Sequence, residues 1–138
     1  PRIGKEFRNM DLEILQTIQQ GRIFSGTQQE NIQDLPWHDH PSFPGVALRH
    51  LITGKQTEGK ISSHLVRVKS GHEIGEHIHE GKWELHEVIC GQGACRIEQT
   101  DIPYAAGVTA VIPADLPHSV KAAETDLYLL AKFIPALL

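Results

Sequence analysis

Turn residues cut the last two-thirds of this chain into short β-prone runs, and that limits its fold more than any other feature. Residues 46–52 end at Thr53-Gly54, and residues 61–69 end at Ser70-Gly71. A run at 77–79 is broken by Glu80-Gly81, while 84–90 and 94–98 flank Gly91-Gln92-Gly93. Residues 108–112 follow Gly107, and 118–122 and 127–134 close the chain. Strand side chains alternate, so Leu65 and Arg67 fall on one face and Val66 and Val68 on the other. Short strands at turn-punctuated spacing with little helix predict an all-β, antiparallel sandwich or barrel.

Residues 1–45 read differently, as an arm ahead of a β-barrel domain over 46–138. In 11–20 (DLEILQTIQQ) Leu12, Leu15 and Ile18 share one face, Asn9 or Asp11 can cap the start, and Gly21 can end it. This predicts a short helix that packs or serves as a dimer arm. Residues 28–34 are polar and read as loop. Pro36, Pro41 and Pro44 exclude a central strand or a helix from the segment leading to Gly45.

A chain of 138 residues is long enough for one self-sufficient core. Thirteen basic and 17 acidic residues leave a net charge of −4, and no basic stripe argues for nucleic acid. No stretch approaches the length of a membrane span, and the first residues lack an apolar signal core. Cys90 and Cys95 lie close together and would make a poor staple. They read as reduced thiols and the protein as cytoplasmic.

Nine histidines are present, and two of them, His77 and His79, share a face if extended. Glu84, His86, Val88 and Cys90 share a face of the following strand, with Leu85, Glu87 and Ile89 on the other. A carboxylate there can return to the two imidazoles, and His118 is a fourth candidate from far downstream. Three imidazoles and a carboxylate suit one borderline divalent ion such as Fe, Mn, Ni or Zn. A two-residue change of register would instead make His86 the fourth ligand, so the choice between Glu84 and His86 stays open here. If Glu84 ligates, His86 is a candidate for catalysis or for supporting a ligand.

The spacing Gly71-x5-His77-x-His79-x4-Glu84-x6-Gly91 resembles the first motif of the cupin superfamily, with all five marker positions present. The second cupin motif, G-x5-P-x-G-x2-H-x3-N, is matched by Gly107-x5-Pro113-x-Asp115-x2-His118-x3-Ala122. Asp115 stands in place of a glycine and Ala122 in place of the asparagine, departures expected to weaken a turn and a strand end. The resemblance implies a double-stranded β-helix, a jelly-roll barrel of two antiparallel sheets. It also implies metal ligation by His77, His79, Glu84 and His118, and pairing into a homodimer through the N-terminal arm.

The expected function is therefore a small mononuclear metalloenzyme, of dioxygenase, isomerase or lyase type, acting on a small oxygen-rich organic molecule. The alternative is a cupin that binds or senses a small ligand without turnover. Weaker readings attach to the other polar residues. His64 lines the barrel or lies outside it, His72 is solvated in a turn, and His50 has no assigned face. His38 and His40 flank Asp39 in a loop rather than a second metal site. Trp83 packs at the barrel rim, and Cys90 faces inward at the far end of its strand.

Overall fold

The computed structural model describes the backbone of residues 2–138 and the side chains of residues 10–138. Helix α1 (Arg2–Gln19) leads into strands β1 (Arg22–Ser25) and β2 (Gln28–Asn31), a 3-10 turn (Ile32–Asp34) and β3 (Trp37–Asp39). Then come β4 (Val46–Ile52), a single helical turn α2 (Gly54–Thr57), β5 (Ser62–Val68), β6 (Glu73–His77) and β7 (Trp83–Cys90). The chain ends with β8 (Gln92–Ile97), β9 (Thr100–Ala105), β10 (Thr109–Ile112), β11 (His118–Ala122) and β12 (Leu127–Ile134).

Two antiparallel sheets face one another. One has the order β10-β7-β12-β5-β4-β3 and the other β6-β11-β8-β9, with the β1–β2 hairpin separate. The core between them takes alternate residues from both. Val46, Val66, Val68, Val88, Leu127, Leu129, Ala131 and Phe133 come from the larger sheet, and Cys95, Tyr104, Val120 and Ala122 from the smaller. The period-2 pattern thus does what two-sheet packing requires: one face of each strand is dry and the other meets water or α1.

A second cluster lies on the outer face of the larger sheet, where α1 lays Leu15 against Leu65, Ile89 and Cys90, with Ile18, Leu51, Leu130, Trp37 and Tyr128 around them. The expected inward position of Cys90 is corrected by this packing. Across β12, Tyr128 pairs with Cys90 and Leu129 with Val88, so Ile89 is bulged and the alternation breaks at the strand end.

Other expectations are corrected in the first third. The helix starts at Arg2, not at Asp11, and only Leu15 and Ile18 of its expected face meet the sheet, leaving Leu12 half-exposed. Residues 28–34 are not loop. Gln28–Asn31 pairs with Arg22–Ser25 across the Gly26-Thr27 turn, and every β2 side chain is exposed, so no apolar alternation marks it. The Pro-rich segment supplies β3, which lies at the sheet's edge, the one place the prolines permit. β9 also lay hidden: it holds Pro103 and pairs only with β8.

Candidate metal centre

The two sheets meet chemically at one point. β11 pairs with β6 so that His118 lies directly opposite His77, which neither strand's own pattern reveals. Glu84 enters from β7 of the facing sheet. His79 is not in a strand, because β6 stops at His77; the residues after it curl over and return the imidazole to the same place. The ligating atoms of His77, His79, Glu84 and His118 all fall within 4.8 Å of one another.

Hydrogen bonds fix the tautomers. His77 Nδ1 lies 2.7 Å from the Gly75 carbonyl and His118 Nδ1 lies 2.9 Å from the Leu116 carbonyl. A carbonyl only accepts, so both Nδ1 atoms carry hydrogen and both Nε2 lone pairs are turned to the centre. There, His77 Nε2 lies 3.0 Å from His79 Nε2, and His118 Nε2 lies 3.0 Å from Glu84 Oε1. Donor atoms turned to one point at that range can share either a proton or a metal ion. Burial holds His77 below its ordinary value and pushes His79 down to about 4, so a proton is disfavoured there and a metal ion fits. The donor set has the right chemistry for a borderline divalent ion.

Glu84 is gripped from behind. Its Oε2 accepts from His86 Nε2 at 2.7 Å, and His86 Nδ1 lies 2.8 Å from the Tyr104 hydroxyl. Burial alone would raise the Glu84 carboxyl. The charge of His86 and the hydrogen bond it donates outweigh it and keep the group ionised. Burial would likewise lower His86, but the Glu84 carboxylate pushes it up to about 9. Both His86 nitrogens are thus engaged, Nε2 by Glu84 and Nδ1 by the Tyr104 hydroxyl, with none left to meet a ligand in the barrel. Of the two carboxylate-position candidates, the geometry brings Glu84 into the cluster and sets His86 one bond behind it. Glu87 points outward to Lys132.

Tyr104 was missed by the sequence reading. Its signal was a lone aromatic in a segment whose Pro103 and polar neighbours hid the strand. The departures from the second cupin motif also have an explanation. Asp115 holds φ +70°, the left-handed conformation a glycine would take, and its Oδ1 accepts from Gly81 N–H at 2.8 Å. The turn carrying His79 is thereby tied to the turn preceding His118, so the aspartate strengthens the place it was expected to weaken. Ala122 is fully buried opposite Gly93 and packs the core.

The remaining histidines form a separate string. His64 lines the interior, fully buried, with Nδ1 2.8 Å from His50 Nδ1 and Nε2 2.8 Å from Ser62 Oγ. His38 is not in a loop but on β3, where its ring stacks on His50 at 4.9 Å. His40 stacks on Phe43, which leans toward His77, with ring centroids 6.1 Å apart. His72 is exposed in its turn, as expected, and Trp83 is half-exposed.

Residues 64–131 match the family model described as the Cupin domain, and all four centre residues and His86 lie inside that match. The chain carries a cupin domain. The oxalate-binding protein of Thermotoga maritima is 28% identical over 91 residues, covering 64% of this chain and 75% of that protein. The crystal structure of a predicted oxalate decarboxylase from Thermotoga maritima superposes with a TM-score of 0.69 at 24% identity, covering 75% of this chain and 95% of the other. KdgF from Halomonas sp. superposes with a TM-score of 0.66 at 20% identity, covering 75% and 90%. The last two likenesses establish the cupin fold, with its antiparallel sheets, behind the N-terminal helix.

Proposed function

We propose that this cupin is a mononuclear metalloprotein that binds a small oxygen-rich organic acid at the metal and turns it over. One observation carries the reading: three imidazole nitrogens and one carboxylate oxygen converge, with the tautomers of His77 and His118 set by backbone carbonyls. His77, His79, Glu84 and His118 would hold the ion. A divalent metal there supplies Lewis-acid polarisation of a bound oxygen, or dioxygen chemistry if it is redox-active.

The chain's own residues set the rest. Four protein ligands leave room on a six-coordinate ion for a molecule offering two oxygens. Phe133 packs against His79, and Phe43 lies against Gly75, where an added Cβ would come within 2.9 Å of the ring. These aromatic walls favour a compact ligand and exclude bulk water. His86 acts through Glu84, holding the carboxylate's orientation and charge, and so is a positioning residue.

The second reading, binding without turnover, is favoured by the name of the Thermotoga maritima relative, an oxalate-binding protein. Loading with Fe(II), Mn(II), Ni(II) or Zn(II), then calorimetry and product analysis with oxalate, separates the two. Turnover with any one metal supports the enzyme. Saturable binding with every oxalate molecule recovered supports the binder. One ion per chain in the wild type and full metal content in His77→Ala or His118→Ala would overturn the assigned centre.

The homodimer is part of this proposal too. The exposed Met10 and Ile14, one turn apart on α1, offer an apolar strip suited to a second copy, while Leu15 and Ile18 cover the chain's own sheet. Sedimentation of Met10→Glu/Ile14→Glu tests it, since neither side chain belongs to the core.

A further inference from the structure

On the outer face of the larger sheet two positive charges have no acidic partner among the described residues. Arg49 on β4 lies opposite Trp37 on β3, and Arg67 on β5 lies opposite Tyr128 on β12. Both guanidinium carbons stand 4.8 Å from the centroid of the Trp37 ring. Arg49 is only 8% exposed, and the Nε atoms of both arginines are buried without a hydrogen-bond partner.

Among the described residues, the ion pairs formed by lysine and arginine are Lys60–Glu58, Arg96–Asp101 and Lys132–Glu87, and none reaches this pair. Asp39 shares the face, opposite Ala47, yet is exposed and pairs with neither arginine. Stacking on Trp37 favours each cation, but it does not neutralise either one or satisfy its donors. A buried guanidinium beside a like charge is costly unless an anion completes it.

We propose that Arg49 and Arg67, backed by Trp37, form a receiving site for a carboxylate supplied from outside this chain. Strand parity sets the site apart from the metal centre: His64 and Val66 point into the barrel, while Leu65 and Arg67 point out. Guanidinium forks match a planar carboxylate in a way that lysine's point charge does not. Tyr128 stands edge-on to Trp37 at 6.4 Å and closes one side. The carboxylate has two possible sources, a free organic acid or an acidic side chain of a second copy, of which this chain has 17.

Malonate is the probe, titrated at constant ionic strength against metal-loaded wild type, Arg67→Gln and Arg67→Lys. Thermal unfolding and sedimentation velocity are read together. Malonate also suits a metal centre, so the signal is the difference between proteins of equal metal content. A free-acid site gives a saturable stabilisation, independent of protein concentration, that weakens about tenfold or more in Arg67→Gln. A second-copy site gives a concentration-dependent dimer that malonate dissociates and Arg67→Gln abolishes. In either case Arg67→Lys restores only part of the response, because charge returns without the fork. Identical malonate responses and identical sedimentation in wild type and Arg67→Gln would overturn the proposal. Arg67 is the half-buried member, so its variants keep the fold, and Arg49→Gln repeats the test where the folded yield allows.

Discussion

Acid should unfold this protein partly through one residue far from its termini, His64. The side chain is fully buried between His50 and Ser62. Ser62 Oγ accepts from the Leu137 backbone N–H at 2.8 Å, so its own hydrogen is free to point at His64 Nε2. His64 Nδ1–H then donates to His50, and the ring is neutral with every polar atom satisfied. Protonation would add a buried charge facing a second imidazole at Nδ1, and at Nε2 it would force the Ser62 hydroxyl hydrogen to turn away. Burial first, and the neighbouring His50 second, push His64 down from its ordinary 6.5 to about 4.

A group whose charged form is disfavoured by folding contributes stability that is whole above the unfolded value. It is lost as pH falls from 6.5 towards 4 and falls no further below that. A displacement from 6.5 to about 4 corresponds to about 3 kcal/mol at ~1.4 kcal/mol per pH unit. Urea unfolding of metal-free protein from pH 4 to 8 measures it, with His64→Gln as the comparison. The wild-type curve should fall more steeply than the variant's across that window, so that the two converge by about 3 kcal/mol at the acid end. Parallel curves would refute the assignment, whatever the absolute stabilities. His50→Gln should show a smaller change, because His50 is half-buried.

Glu84→Gln should strip metal from the protein, whereas Glu87→Gln should leave its metal content at the wild-type level; elemental analysis that ranks them the other way would sink the centre. Tyr104→Phe removes the hydroxyl that anchors His86, and should weaken metal affinity about tenfold or more while costing only ~1 kcal/mol of stability. Competition with a chromophoric chelator reads the first effect and urea unfolding the second. Gly91→Ala should be among the most damaging single changes. The residue has φ +90°, and a Cβ would sit 2.1 Å from the Asp126 carbonyl oxygen. A loss of roughly 3 kcal/mol or more is expected, because the obstacle is backbone and cannot rotate aside. A wild-type melting temperature would disprove it.

These expectations differ in how much of their basis can be read along the chain. Glu84 and His86 share a face by parity alone, and that much is legible in three letters. Which of them meets the ion is not, because the answer lies in where β10 and β12 pair with β7: Ile112 and Phe133 both stand opposite Glu84 and set the register. His118 opposite His77 is likewise a pairing fact, fixed by sheet order rather than by either strand. The bulge at Ile89 is read from β12, not from β7, which is why period-2 reasoning misplaced Cys90. Segments without apolar contrast left no pattern at all: β2 is wholly exposed, and β9 carries a proline. The residues that tune the centre and the outer arginine site come from such places, Tyr104 from β9 and Trp37 from the Pro-rich edge. Local pattern reports which face a side chain takes, and so it finds ligands that lie close in sequence. The groups that orient those ligands arrive across strand pairings, where the information resides in the fit between segments and not in any one of them.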